Sequence, residues 1–231
     1  MRIKGGVQLN ESSLKTAIRA MQVQTALMSN VSENVNGFDK VGYQRKESVV
    51  SSFTEYLGID GLSKVVDDTV GRLTTTDNAL DLAIATKGYF QVQTPDGIKI
   101  TRDGRFKIDV NGNFLDLENN KVLSNTGVPI TFDKLPEKPS DVIVNARGAI
   151  RLFDRKTKKM THIGTLGVVD QNGVGIVNPQ IQQGYTEASN VALQNEFMSL
   201  LPIKRNFEAN RQMFLIGNST LQKAISQLGQ G

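Results

Sequence analysis

The sequence predicts an α+β chain in which long N- and C-terminal helices form a coiled-coil domain around a central antiparallel β domain. Two observations carry this reading. Both ends repeat apolar residues at helical spacing, whereas the middle breaks into short β-rich runs separated by turn residues. In addition, the C-terminal segment places an apolar residue at every seventh position, the signature of a coiled-coil seam. The expected organisation is residues 1–65 for the N-terminal helix and linker, 66–184 for the β domain, and 185–231 for the C-terminal helix.

The N-terminal helix is read from Glu11 to about Asn34. There Leu14, Ile18, Met21, Thr25 and Met28 alternate spacings of four and three, and Val31 and Val35 extend the face. Gly37 and Gly42 then close the pattern as helix stops. In the middle, Tyr89–Thr94 and Ile98–Thr101 flank Pro95-Asp96-Gly97, a tight-hairpin signal. Arg105–Asp109 and Asn113–Leu117 flank Asn111-Gly112, a pair that tolerates the positive φ of primed turns. Further runs are Asp141–Asn145, Ala149–Phe153 and His162–Val169, and the proline-bearing stretch Asp133–Ser140 bridges two parts of one domain.

The C-terminal stripe is Leu193, Leu200, Phe207, Phe214, Leu221 and Leu228. The heptad assigns Phe197, Lys204, Arg211, Asn218 and Ile225 to the companion seam positions, apolar at the ends and polar between. Pro202 removes the hydrogen bond to Met198 and predicts a kink or break, and Gly217 is a second weak point. A helix from Glu187 to Leu228 would be roughly 60 Å long, longer than a domain of this size is wide, so its apolar stripe requires partners. Leu14, Ile18, Met21, Met28, Leu193, Phe197, Leu200, Phe207, Phe214, Leu221, Ile225 and Leu228 are therefore the expected assembly interface.

The residue inventory excludes most catalytic chemistry. With no cysteine and His162 as the only histidine, Cys-His pairs and multi-histidine metal sites cannot be built. Asp109, Asn111 and Asn113 resemble the start of a calcium loop, but Phe114 stands where that loop needs glycine. Asp77, Asp81, Asp103 and Asp109 read as turn and strand-edge residues rather than as an acid-base pair. No catalytic residue, cofactor or metal is expected. A net charge of +4 is modest for a nucleic-acid binder, and the basic run Arg151–Lys159 reads as a solvated hairpin tip without interleaved stacking aromatics. No apolar run is long enough for membrane insertion, and the N-terminus lacks the apolar core of a cleaved signal peptide.

Four motifs resemble the flagellar basal-body rod and hook protein family. The first helix ends in NVSENVNGFDKVGYQRK, where Asn30, Asn34, Asn36, Gly42, Tyr43 and Arg45 match an asparagine-rich signature. LDLAIATKGYFQV is similar through Leu80, Asp81, Leu82, Ala83, Ile84, Gly88, Phe90 and Val92, and TRDGRFKIDVNGNFL through Thr101, Arg102, Asp103, Gly104, Phe106, Asp109, Gly112 and Leu115. The C-terminal signature is carried by Gly184, Glu187, Ser189, Asn190, Val191, Leu193, Glu196, Arg205, Phe207, Glu208, Ala209 and Asn210. The chain departs from the pattern in extra residues around Gly37–Val41, in Thr86 where a glycine is usual, and in Pro202.

The resemblance implies a structural subunit of the basal-body rod that assembles, with copies of itself and other rod and hook proteins, into a torque-transmitting helical tube. It implies passage through the flagellar type III export apparatus without a cleaved signal peptide. The terminal helices would line the tube and the β domain would lie outside. A hook-type axial protein is the alternative within the family. A β-domain adaptor binding an anionic surface or nucleic acid through Arg151–Lys159 is the alternative outside it.

Overall fold

A computed structural model describes residues 4–50 and 61–228. The chain divides into two compact units. Residues 1–38, 45–67 and 191–231 group as a helical unit, and residues 39–44 and 68–190 as a β unit.

The helical unit contains α1 (Lys4–Gly37), α2 (Leu193–Leu228) and the antiparallel ribbon β1 (Lys46–Val50) with β2 (Leu62–Val66). The helices pack on each other, α1 burying Ala17, Val23 and Val31. α2 turns one face inward: Glu196, Leu200, Ile203, Phe207, Asn210, Phe214, Gly217, Leu221 and Ala224 are buried or half-buried, at spacings alternating four and three.

This corrects the coiled-coil expectation. The α+β class holds, but the described residues contain two α-helices, one near each end, and a multi-sheet β region; the helices do not form a coiled-coil domain. The inward positions between the stripe residues fall one residue earlier than the heptad assigned, at Glu196, Ile203, Asn210, Gly217 and Ala224, and of the assigned companions only Asn218 is half-buried. Phe197 and Ile225 consequently face outward, 55% and 62% exposed. A row containing a carboxylate, an amide and a glycine supplies no continuous set of apolar knobs, which a coiled-coil seam needs. α2 also runs through Pro202 as one helix. The Met198 carbonyl that loses its donor belongs to an exposed residue, so water can satisfy it.

The β unit is entirely antiparallel. Its largest sheet has the order β13-β5-β9-β8-β7, with β6 also paired to β5. These strands are β5 (Tyr89–Thr94), β6 (Gly97–Thr101), β7 (Lys107–Ile108), β8 (Phe114–Leu115), β9 (Lys121–Val122) and β13 (Val168–Val169). A three-stranded sheet joins β10 (Val142–Val144), β11 (Ala149–Asp154) and β12 (Lys159–Thr165). Two pairs complete the unit: β4 (Leu82–Ile84) with β14 (Ile181–Gln183), and β3 (Leu73–Thr75) with β15 (Tyr185–Glu187). The run expected as one strand over His162–Val169 is thus divided between β12 and β13, which belong to different sheets.

The core between these sheets holds Leu82, Ile84, Val92, Val122, Ile150 and Leu166, with a chain of aromatic rings through it. Phe90 meets Phe106 edge to face at 5.1 Å, and Phe106 lies 5.0 Å from Phe114, which lies 6.0 Å from Phe132. Such geometries add stability beyond simple burial. Hairpin turns share one device. The Asp109 carboxylate accepts the N–H groups of Asn111 and Asn113 before Gly112 turns at φ +81°, and Asp170 does the same for Asn172 and Val174 before Gly173. The calcium-loop resemblance at Asp109 is this turn.

Candidate assembly surface

Among the signature residues, Arg102 with Glu187 and Asn34 and Arg45 with Glu196 form two polar clasps, one in each unit. In the β unit, the Arg102 side chain is buried and every guanidinium nitrogen has a partner. Its Nε donates to Glu187 Oε2 at 2.6 Å, while the terminal nitrogens donate to the carbonyls of Thr86, Gly88 and Ile84 at 2.8, 2.7 and 2.9 Å. Glu187 in turn accepts the Gly71 N–H through Oε1, and its own carbonyl accepts the Gly42 N–H. A buried ion pair holds only when its remaining donors and lone pairs are met, and here they are.

Glycines make the clasp possible. Gly42 has φ +68°, and a Cβ there would come within 2.5 Å of the Arg102 backbone. At Gly104 a Cβ would lie 1.7 Å from the Leu82 carbonyl oxygen, so that position admits no side chain. Asp103 fixes the intervening turn by bracketing Arg105, whose Nε donates to Oδ1 at 2.9 Å. Asp81 accepts from Asn78, and Asn190 ties the C-terminal exit to Thr69 and to the Tyr43 carbonyl. Ser189 is half-buried beside it.

In the helical unit the centre is Glu196, 1% exposed in the first turn of α2, where a carboxylate also complements the helix dipole. Arg45 donates to it at 2.6 Å and Asn34 at 3.2 Å. Asn34 also brackets the backbone of Lys46, accepting its N–H at 2.9 Å and donating to its carbonyl at 2.8 Å, while Asn30 donates to the same carbonyl. The asparagines of the first signature thus steer the chain from α1 into β1. Farther along α2, Glu208 is exposed near Lys204, and Asn210 donates to the Asn206 carbonyl. Glu187 and Glu196 were legible only as motif positions; their burial is the feature that sequence reasoning missed.

The expected interface residues divide by exposure. Leu14, Met21, Met28, Leu193, Leu200, Phe207, Phe214 and Leu221 are half-buried within the helical unit. Ile18, Phe197 and Ile225 are exposed, and the Leu228 side chain lies outside the described residues. Ile18, Met21 and Phe207 line an open groove of about 520 Å³ with Gln22, Thr25, Ala26 and Ser29. α2 further exposes Met198, Leu201, Met213, Leu215 and Ile216 away from α1, a set the heptad did not single out. Among the aspartates and the histidine weighed for chemistry, none meets a catalytic partner: Asp103 is held by Arg105, Asp109 by its turn, and His162 lies exposed on β12 opposite Arg151.

The helical unit carries exposed apolar side chains and the β unit a closed core, and the class of protein these belong to is the axial structural proteins of the flagellum. The chain belongs to the flagellar basal-body rod protein family and is a structural subunit of the rod. Residues 83–152 match the family described as "Flagellar hook protein FlgE/F/G D1 domain", and residues 182–228 match "Flagellar basal body rod FlgEFG protein C-terminal". The chain is 28% identical to the flagellar basal-body rod protein FlgG of Buchnera aphidicola, over 93% of this chain and 97% of that protein. It is 26% identical to FlgF of Mesorhizobium japonicum over 95% and 98% of the two chains. It is 30% identical to FlgF of Caulobacter vibrioides over 70% and 71%. The similarity to rod proteins supports a place in the flagellar basal body.

Proposed function

We propose that this rod subunit polymerises with copies of itself and with other rod and hook proteins through its helical unit, and that the β unit folds independently of that assembly. The observation that carries this is the number of large apolar side chains that α2 leaves exposed. Phe197, Met198, Leu201, Met213, Leu215, Ile216 and Ile225 are each at least 48% exposed on a helix whose inward positions already pack on α1. Monomeric proteins seldom leave such a surface open, and fully burying each residue contributes about 1.5–3 kcal/mol. A groove lined by Ile18, Met21 and Phe207 adds further open apolar surface on the helical unit. In this reading residues 1–65 and 185–231 serve assembly and residues 66–184 form the separate β portion. The chain reaches its site through the flagellar type III export apparatus, transmits torque, and has no catalytic role.

The test is the double substitution Leu201→Glu with Ile216→Glu. Both side chains are outward, so the purified monomer should keep its helical circular dichroism and melting temperature. Incorporation into basal bodies should be lost. Normal incorporation of the folded variant would overturn the assignment of these side chains.

A further inference from the structure

The basic hairpin β11–β12 has no part in the assembly reading. β12 is the terminal strand of its sheet and, with seven residues, the longest strand described. It pairs with β11 alone, and its sole described backbone bond to another segment is from the Asn125 N–H to the Thr165 carbonyl at its far end. Along Lys159–His162 every residue is exposed, with no proline to block the outer edge. Alternate N–H and C=O groups of an antiparallel edge strand point away from the sheet and are open to an added strand. The extra residue, Ile163, bends the strand only beyond this stretch.

The surrounding charge selects the occupant. Most acids of the hairpin region are engaged, Asp141 by Arg155, Asp154 by Lys134 and Glu137 by Lys156, which leaves Asp133, near Thr161 and His162, outside the described ion pairs. Arg151, Lys158 and Lys159 are exposed and take part in no described ion pair. Cross-strand partners share a face, which places Arg151 with His162 and Phe153 with Met160 beside the open edge. The same face carries Ile143, 42% exposed.

We propose that the β12 edge at Lys159–His162 is a docking site for an extended, acidic segment of a partner protein, which adds as an antiparallel or parallel strand. Main-chain hydrogen bonds to the edge supply affinity, and carboxylates on the face of Arg151 and His162 supply selection, with Lys158 and Lys159 adding positive charge at the hairpin tip. The probe is a fluorescent peptide of alternating glutamate and valine, titrated by anisotropy into the full chain. Binding should weaken about tenfold or more for Arg151→Glu with Lys159→Glu, both surface changes on the hairpin. It should be abolished when alternate peptide amides on one edge are N-methylated, an arm read on the unmodified protein and so independent of variant folding. Equal binding of the N-methylated peptide would overturn strand addition. Equal competition by duplex DNA of matched charge would reduce the surface to a general anion attractor and likewise overturn the proposal.

Discussion

The β unit and the helical unit treat apolar surface in opposite ways. In the β unit the four core phenylalanines, Phe90, Phe106, Phe114 and Phe132, are at most 3% exposed and touch one another in series. In the helical unit α2 leaves Phe197, Leu201 and Ile216 at least 55% exposed while packing α1 with a face that includes Glu196, Asn210 and Gly217. A closed core with paired polar groups is complete within one chain. A helix pair with apolar residues outside and polar residues inside is an incomplete one, and its stability depends on what it meets.

The largest expected effect lies at the β-unit clasp. Arg102→Met removes one partner of a buried pair and strands the Glu187 carboxylate, so about 3–5 kcal/mol of β-unit stability should be lost. Denaturant melts followed by near-ultraviolet signals of the core aromatics would read it. If the helical signal at far-ultraviolet wavelengths is lost in the same transition, the two units are not energetically separate.

A smaller effect is expected in the helical unit. Asn34→Ala leaves the Lys46 N–H and carbonyl without the amide that brackets them, a cost of about 1–3 kcal/mol. Hydrogen exchange should then speed up in β1 and at the start of α2 while the β-unit core stays protected. Unchanged exchange in β1 would show that Asn34 is dispensable for steering the chain.

Acid should weaken the β unit over a defined range. The Arg155 hydrogen bond holds the Asp141 carboxyl below the usual carboxylate range, the Lys134 hydrogen bond does so for Asp154, and the Asn113 side chain for Asp109. A carboxyl depressed in the folded state contributes stability that is fully present above its unfolded value, about 3.9, and is lost as pH falls through the folded value. The melting temperature should therefore hold from neutral pH to about 5 and fall below about 4. Arg155→Gln should make that fall shallower, and an identical acid limb in this variant would remove Asp141 from the account. At the small end, Lys99→Ala breaks only an exposed pair with Glu118 and should change stability by less than about 1 kcal/mol.

Local chemistry was legible in the sequence because its causes are local. The helix–strand–helix order follows from a switch in apolar period. The hairpin at Pro95-Asp96-Gly97 and the turn at Asn111-Gly112 follow from residues that accept those backbone angles, and β5 begins and ends where the sequence placed it, at Tyr89 and Thr94. Motif residues also sufficed for the family. The inward face of α2 was not legible in the same way, since the stripe at Leu200, Phe207, Phe214 and Leu221 fits two heptad frames one residue apart. Only packing against α1 chose the frame with Glu196 and Ile203 inside and Phe197 outside. The burial of Glu187 by Arg102, 85 residues away in the chain, and of Glu196 by Arg45, 151 residues away, belongs to the tertiary structure alone. A charge reads as surface in any local window, and becomes interior only when a distant segment brings the opposite charge and the hydrogen bonds that offset its desolvation.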